Sequence, residues 1–517
     1  MSDPPPSRFG RLARAALTVS AGGAISRLLG LGREQTIAAL FGRSAATDAF
    51  TAASRVPTTT YDLLVGGMIS AAFVPVLSAE AEKDDQGFWQ LAGLLVSFFG
   101  VLLAVAVLLV LLGSGPLVAL LTPFFDVETK QLTLLLLQIM TPSLFFLGMS
   151  GVAIGILQAR RRFAAPAFGA AIFNLGFIAA AWLLRDRGIE ALAIGILAGS
   201  ILQCVLQAAA LRGARWRLSL DLTNPVLRRI GLLYAPVLVG LVVTTAGVYI
   251  DTILASGLPS GDLTAMRYAT TLTQLTLGIV GVAIGTAYLP ELSRAEAGSP
   301  AFRKALGEAL RAVLILSVPA VVALAALREP IVRLLFQRGA FDASDTARTA
   351  LAYLTYAPGA PAAALDQILI YAFYARQDTI RPVAVGVLSV GIYLAVALAL
   401  VEPLGMVGLT LANAAQWTGH LVIMAILTAI TLRPVDPRAV ALPLLRVGVA
   451  GLAGGLVWSL ASSMMPENPW LLLPALTLAA IMGGLAYLGV LWLAGAPEVR
   501  FLAGRSRRFL DRAVPRR

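Results

Sequence analysis

Long apolar stretches separated by short polar connectors dominate the chain from residue 13 to residue 494. Each is long enough to cross a bilayer as helix, which takes about 20 residues. The pattern predicts fourteen helices, among them 13–41, 46–78, 87–113, 131–157, 263–292, 347–374, 381–401 and 405–431, with 439–463 and 470–494 closing the chain. Turn-forming runs such as Gly113-Ser-Gly-Pro116, Thr223-Asn-Pro225 and Arg433-Pro-Val-Asp-Pro437 mark the connectors. The stretch 46–78 would run about 50 Å as one helix, so it must tilt or bend, with Pro57 and Gly66-Gly67 as bend points.

Composition agrees with that reading. Of 517 residues, 58% are hydrophobic and 13% charged, whereas soluble domains average near half apolar and about a quarter charged. A disordered chain, a collagen-like fibre and a disulfide scaffold are excluded. Cys204 is the single cysteine, so no intrachain disulfide forms. His420 is the single histidine, which argues against a histidine metal site and histidine-dependent catalysis. No metal and no cofactor are expected.

The net charge of +12 needs its own explanation. Its positive residues do not interleave with aromatics as in a nucleic-acid surface, so nucleic acid is not expected as a partner. Most of the 40 Lys and Arg fall at the N-terminus, in the even-to-odd connectors and in the tail, including Arg160-Arg161-Arg162 and the cluster from Arg505 to Arg517. By the positive-inside rule both termini are cytoplasmic, and the tail anchors to anionic membrane lipids. Met1 to Arg14 lacks the apolar core and small-residue site of a removed signal peptide.

Two segments recur at a nearly constant offset. Ala72-Phe-Val-Pro-Val-Leu-Ser78 is echoed by Ala287-Tyr-Leu-Pro-Glu-Leu-Ser293, and Ala159-Arg160 with Pro166 by Ala375-Arg376 with Pro382. The offset spans six helices, an even number, so the copies are parallel repeats. The expected fold is all-α and polytopic: a first six-helix lobe over 1–217, a second over 218–433, and two further helices with a basic tail over 434–517. Two such lobes facing one another suit a transporter whose substrate cleft lies between them.

Charges inside the spans concentrate in the first lobe. Arg27 and Arg33 lie on the first helix, Asp48 and Arg55 on the second. A charge in hydrocarbon costs several kcal/mol unless paired or hydrated, which points these side chains to a polar cavity. Gly30 and Gly32 allow the first helix either to unwind or to approach a neighbour closely. Guanidinium forks beside freed backbone N–H groups suit a phosphate or carboxylate, so an anionic substrate is expected. In the second lobe, Arg267, Asp251 and Asp366 stand apart, and Asn413, Gln416 and His420 share one face of the twelfth helix. Asp251 and Asp366 read equally as cation or proton sites and as structural carboxylates, the helix-twelve face as polar packing, and Arg446 as an interface anchor. Asp84-Asp85 is the only acidic pair and reads as solvated.

The motifs together resemble the MurJ (MviN) lipid II flippase family. They are Ser26-Arg-Leu-Leu-Gly-Leu-Gly-Arg33, Phe41-Gly, Ala46-Thr-Asp-Ala-Phe50, Ser70-Ala-Ala-Phe-Val-Pro75, Leu335-Phe-Gln-Arg-Gly-Ala-Phe341 and Phe373-Tyr-Ala-Arg-Gln-Asp-Thr379. The resemblance implies the multidrug/oligosaccharidyl-lipid/polysaccharide exporter fold. It also implies transfer of an undecaprenyl-pyrophosphate-linked peptidoglycan precursor from the cytoplasmic to the periplasmic leaflet by a monomeric carrier. Arg27, Arg33 and Asp48 match functional positions of the family, and Arg55 stands where relatives carry lysine. The last two helices are implied to form a groove for the polyprenyl tail.

The chain also departs from the family. Tyr61 and Gly66 replace a family arginine and glutamate, and Thr270-Thr271 replaces an Asp-Arg pair, one turn from Arg267. The nearly all-apolar run from Pro382 to Leu400 argues against sodium coupling. The alternative cargo is another lipid-linked oligosaccharide, with a small-molecule exporter further behind. A membrane enzyme would need clustered carboxylates that the spans do not show.

Overall fold

The computed structural model describes residues 8–63, 69–213, 218–296, 298–432 and 437–496. Among them every regular element is helical. Among the described residues ten helical stretches are long and apolar enough to cross a membrane, one of them spanning 127–159. The other expected spans are 13–41, 46–78, 263–292 and 347–374. These hold Arg27 and Arg33, Asp48 and Arg55, Arg267, and Asp366 respectively. The basic cluster from Arg505 to Arg517 lies outside the described residues.

The chain forms two compact units: Met1–Thr264 with Arg338–Phe341, and Ala265–Gln337 with Asp342–Arg517. The first unit carries α1 (Arg8–Phe41), α2 (Ala45–Tyr61), α3 (Val74–Ala81), α4 (Asp85–Leu112), α5 (Ser114–Leu121), α6 (Val127–Met140), α7 (Ser143–Ala159), α8 (Ala164–Leu183), α9 (Glu190–Ala210) and α10 (Pro225–Ala255). The stretch expected as one helix over 46–78 is divided. Pro57 lies inside α2, a π-helical segment covers Ile69–Phe73, and α3 follows. Gly66-Gly67 lies outside the described residues. The stretch 131–157 is also broken, at Thr141-Pro142, where proline lacks the N–H that would continue the ladder.

The second unit repeats this plan. After α11 (Asp262–Arg294) come α12 (Pro300–Ala326), α13 (Arg328–Phe336), α14 (Ala343–Tyr356), a 3-10 turn at Ala357–Gly359, α15 (Ala360–Tyr374), α16 (Ile380–Leu404) and α17 (Met406–Thr431). The break at Pro358 repeats that at Pro142, and the short α13 repeats α5. The duplicated Ala-Arg corners match in backbone detail. Arg161 and Gln377 both adopt positive φ, 57° and 60°. Arg162 N–H bonds Leu157 O and Asp378 N–H bonds Phe373 O, the long hydrogen bond of a Schellman helix end. Arg160 lies 4.7 Å over the Phe88 ring and Arg376 4.7 Å over Phe302.

Each unit has its own core. In the first, Phe73, Phe88, Leu95, Phe99, Ile156 and Leu157 interlock. In the second, Phe302, Leu306, Ile368, Leu369, Phe373 and Met424 do so. α18 (Pro437–Ser463) and α19 (Pro469–Leu493) pack on α12 through Leu314, Val447, Tyr487 and Leu491. Outward faces stay apolar, as at Leu108, Leu109 and Leu112 of α4, which suits a lipid solvent. Asp84 and Asp85 are not simply solvated. Asp84 caps α4 through Gly87 N–H, which holds its carboxyl below the ordinary range, and Asp85 pairs with Arg160.

Candidate functional site

The turn between α1 and α2 sets the site. Gly42 closes α1, and Ser44 opens α2 as N-cap, exchanging hydrogen bonds with Thr47. That turn places Asp48 in the first turn of α2, where it is 3% exposed. Its carboxylate does not face a free cavity. Oδ2 accepts the Gly261 N–H at 2.5 Å, and Oδ1 accepts the Thr264 N–H at 2.8 Å and the Thr264 hydroxyl at 2.6 Å. Both amides belong to the start of α11, where a helix leaves its first donors unsatisfied. Asp48 therefore caps α11 from another helix, with charge opposite to the helix dipole.

Two neighbours brace this contact. Arg43 pairs with the fully buried Asp262 at 3.3 Å and donates to Ser260 O at 3.2 Å. Gly261 has φ +87°, and a Cβ there would lie 2.5 Å from Arg43 Cγ. The loop Arg338–Phe341 joins the same corner: Ala340 N–H bonds Ala39 O at 2.9 Å. At Gly339, φ is +59° and a Cβ would fall 2.2 Å from Ala39 O, so only glycine fits.

Along α1, Arg33 pairs with Glu34 at 2.9 Å, and Glu34 is buried. The Arg33 guanidinium also lies 6.0 Å over Phe177 of α8, and the Phe177 ring lies 6.4 Å from that of Phe50 of α2. α1 stays continuous through Gly30 and Gly32. The two glycines face the side chains of Asn174 and Ile178 of α8 at ordinary van der Waals distance, which a Cβ would also reach. No backbone N–H groups are freed beside the arginines. Arg27 is exposed on α1 and makes no ion pair among the described residues. Arg55 is half-buried and interacts electrostatically with Tyr249 of α10, which shares a hydrogen bond with Thr59. Arg267, half-buried on α11, belongs to the second unit.

Arg33, Asp48 and Arg55 thus lie in one unit on two consecutive helices, each against a neighbouring element. Glu34 and Arg43 were not singled out by the sequence. Glu34 could have been, as a carboxylate directly after a candidate arginine. Arg43 sits in a connector, where a charge needs no explanation. Asp366 is not isolated: His420 Nδ1 lies 2.8 Å from its Oδ1. Asn413 donates back to Leu409 O of its own helix. Among the described residues no three His, Cys, Asp or Glu gather as a metal site would need.

A sequence model described as lipid II flippase MurJ matches residues 37–478. The chain belongs to the MurJ lipid II flippase family. A Burkholderia cenocepacia relative named lipid II flippase MurJ is 33% identical, over 73% of this chain and 77% of its own length. A Vibrio cholerae relative, “Probable lipid II flippase MurJ”, is 31% identical over 94% of this chain and 96% of its own. The solved structure of a lipid II flippase MurJ in an inward closed conformation shares the fold with a TM-score of 0.79. It is 22% identical and covers 94% of this chain and 100% of its own. An inward-facing multidrug resistance MATE family transporter of the MOP superfamily gives 0.63 at 13% identity, over 81% and 98%. The chain is thus a multi-pass helical membrane protein of a transporter family.

Proposed function

We propose that this chain moves lipid II, the undecaprenyl-pyrophosphate-linked peptidoglycan precursor, from the cytoplasmic to the periplasmic leaflet of a bacterial inner membrane. It acts as a carrier that presents its head-group site alternately to the two sides, without chemical change to the lipid. Membership of the MurJ family carries this reading. The cationic helix pair of the first unit supports it, because a pyrophosphate needs bidentate donors and fixed positive charge.

In this reading Arg27, Arg33 and Arg55 hold the anionic head group, and Arg267 supplies a further charge from α11. Asp48 holds the start of α11 and so controls one face of the site. Both termini are cytoplasmic, the working unit is a monomer among membrane lipids, and residues 1–217, 218–433 and 434–517 act as two lobes and an added helix pair. An open groove of about 500 Å³ between α12 and α18, walled by Val318, Val322, Gly451, Gly455 and Leu456, supports a path for part of the polyprenyl chain. Burying that hydrocarbon in a polar site would gain nothing.

The test is depletion in the native host with labelled lipid-linked precursor. Periplasmic delivery should stop, and a copy with Arg27→Ala or Arg33→Ala at equal protein level should not restore it. Unchanged delivery on depletion, with no redundant flippase, would refute the assignment. Delivery of a different lipid-linked oligosaccharide alone would favour the alternative cargo.

A further inference from the structure

The second unit contains one buried acid–base pair that the head-group site does not use. Asp366 lies on α15 and His420 on α17, with side chains 12% and 13% exposed and Nδ1 2.8 Å from Oδ1. The contact is an ion-pair approach: neither atom meets hydrogen-bond geometry with any partner. α14, the 3-10 turn and α15 run along α17 one after another. Thr355 and Thr410 share a hydrogen bond of 2.6 Å at one level of the seam, and Gly359 abuts Ala414 at the next. Asp366 and His420 follow. Beyond them Ile368, Leu369, Phe373 and Met424 close the seam with apolar side chains.

We propose that Asp366 and His420 together form a proton-binding site within the second unit, and that its proton is exchanged during transport; this second clause rests on the flippase reading. The chemistry selects a proton over a metal cation. A sodium or calcium ion takes about six oxygen ligands, and here one carboxylate oxygen is already against a ring nitrogen. A proton needs only the two atoms present: carboxylate, neutral imidazole and H⁺ give a carboxylate–imidazolium pair, equivalent in charge to a carboxylic acid beside a neutral ring. With one proton the pair is neutral, and without it a lone carboxylate sits in the membrane interior, a costly state.

Other charged groups lie on the helices around the pair. α12 carries Arg303, Lys304, Glu308 and Arg311, α14 Asp345 and Arg348, α16 Arg381 and Glu402, and α18 Arg446. The described tyrosines nearby are Tyr288, Tyr371, Tyr374 and Tyr393, and the ion pair that Asp366 makes is with His420. Tyrosines also hold their protons near pH 10, too tightly to exchange at neutrality. α15 begins at the Ala357–Gly359 break, two turns before Asp366, so a change in the bend there moves one partner along the other.

Because His420 is the only histidine, protein purified with a histidine-free tag and labelled with 15N-histidine gives one imidazole signal. Its titration in wild type and Asp366→Asn should differ in midpoint by one pH unit or more, and Asp366→Glu should recover most of the difference. Identical midpoints would overturn the shared site. In proteoliposomes containing lipid II, an imposed pH gradient should change the wild-type flipping rate at least threefold and leave Asp366→Asn and His420→Gln unaffected. An equal response in all three would remove the proton exchange from transport. A midpoint difference in protein that moves no lipid II would leave the proton site standing and defeat the flippase reading instead.

Discussion

Asp48→Asn isolates what the carboxylate does at the start of α11. The native side chain accepts three hydrogen bonds, two from backbone N–H groups and one from the Thr264 hydroxyl. Hydrogen bonds to a charged group contribute about 1.5–3 kcal/mol each. The asparagine oxygen can keep the Thr264 side of this arrangement, but its NH2 then faces the Gly261 N–H, donor against donor. One charge-assisted bond is lost and the others weaken, a change of about 3 kcal/mol in local stability. At 1.4 kcal/mol per factor of ten, amides held by this contact should open about 100-fold more often. Hydrogen exchange followed by mass spectrometry on peptides covering 256–264 reads this directly. Thr264→Val, which removes only the hydroxyl bond, should accelerate exchange about tenfold. Unchanged protection in Asp48→Asn would show that the carboxylate does not hold α11, and its proposed control of the site would fall with it.

Gly339→Ala should destabilise the first unit by at least about 2 kcal/mol, because the new methyl has both a left-handed backbone and the Ala39 carbonyl against it. Gly23→Ala, which meets nothing within 4 Å, is the control and should be neutral or slightly stabilising in thermal melts. Asp126 caps α6 through Thr129, whose backbone and side-chain bonds hold its carboxyl below the ordinary range. A lowered native pKa gives stability that is present above about pH 4 and lost as pH falls through the native value. The melting temperature of Asp126→Asn should therefore decline less than that of wild type on acidification from pH 5 to pH 2.5. Parallel declines would contradict the cap.

Ten spans follow from apolar length alone, since a bilayer-crossing helix needs little else. The breaks at Pro142 and Pro358 were harder to read, because prolines also sit inside continuous helices here, as Pro319 and Pro403 do. Only the packing around each proline decides between kink and break. The chemistry of Asp48 as a costly intramembrane carboxylate was legible; its partners were not. They are mainly backbone N–H groups of residues 261 and 264, and every residue but proline offers such a donor. Asp366 and His420 were each visible as polar residues in apolar helices. Their pairing depends on how α15 lies along α17, and just before α15 the contacts Thr355–Thr410 from α14 and Gly359–Ala414 from the 3-10 turn hold the chain to α17 without a sequence signature.

The duplicated corners and the unduplicated charges divide the labour between fold and function. Arg160 and Arg376 stack on equivalent phenylalanines, and Arg161 and Gln377 take the same left-handed backbone, yet the helices of the two units differ in charge. The first unit holds Arg33, Glu34, Asp48 and Arg55 there, while the second holds Arg267 and the Asp366–His420 pair. If the corners are purely architectural copies, relieving the backbone should act equally at both. Arg161→Gly and Gln377→Gly each remove a side chain that is exposed and a left-handed conformation costing about 1–2 kcal/mol in a non-glycine residue. Part of that gain is offset because glycine also frees the unfolded chain, leaving about 1 kcal/mol at each corner. Both variants should melt slightly higher than wild type, by matching amounts, with flipping unchanged. A large effect at one corner and none at the other would mean that the two copies have diverged in structure as well as in charge.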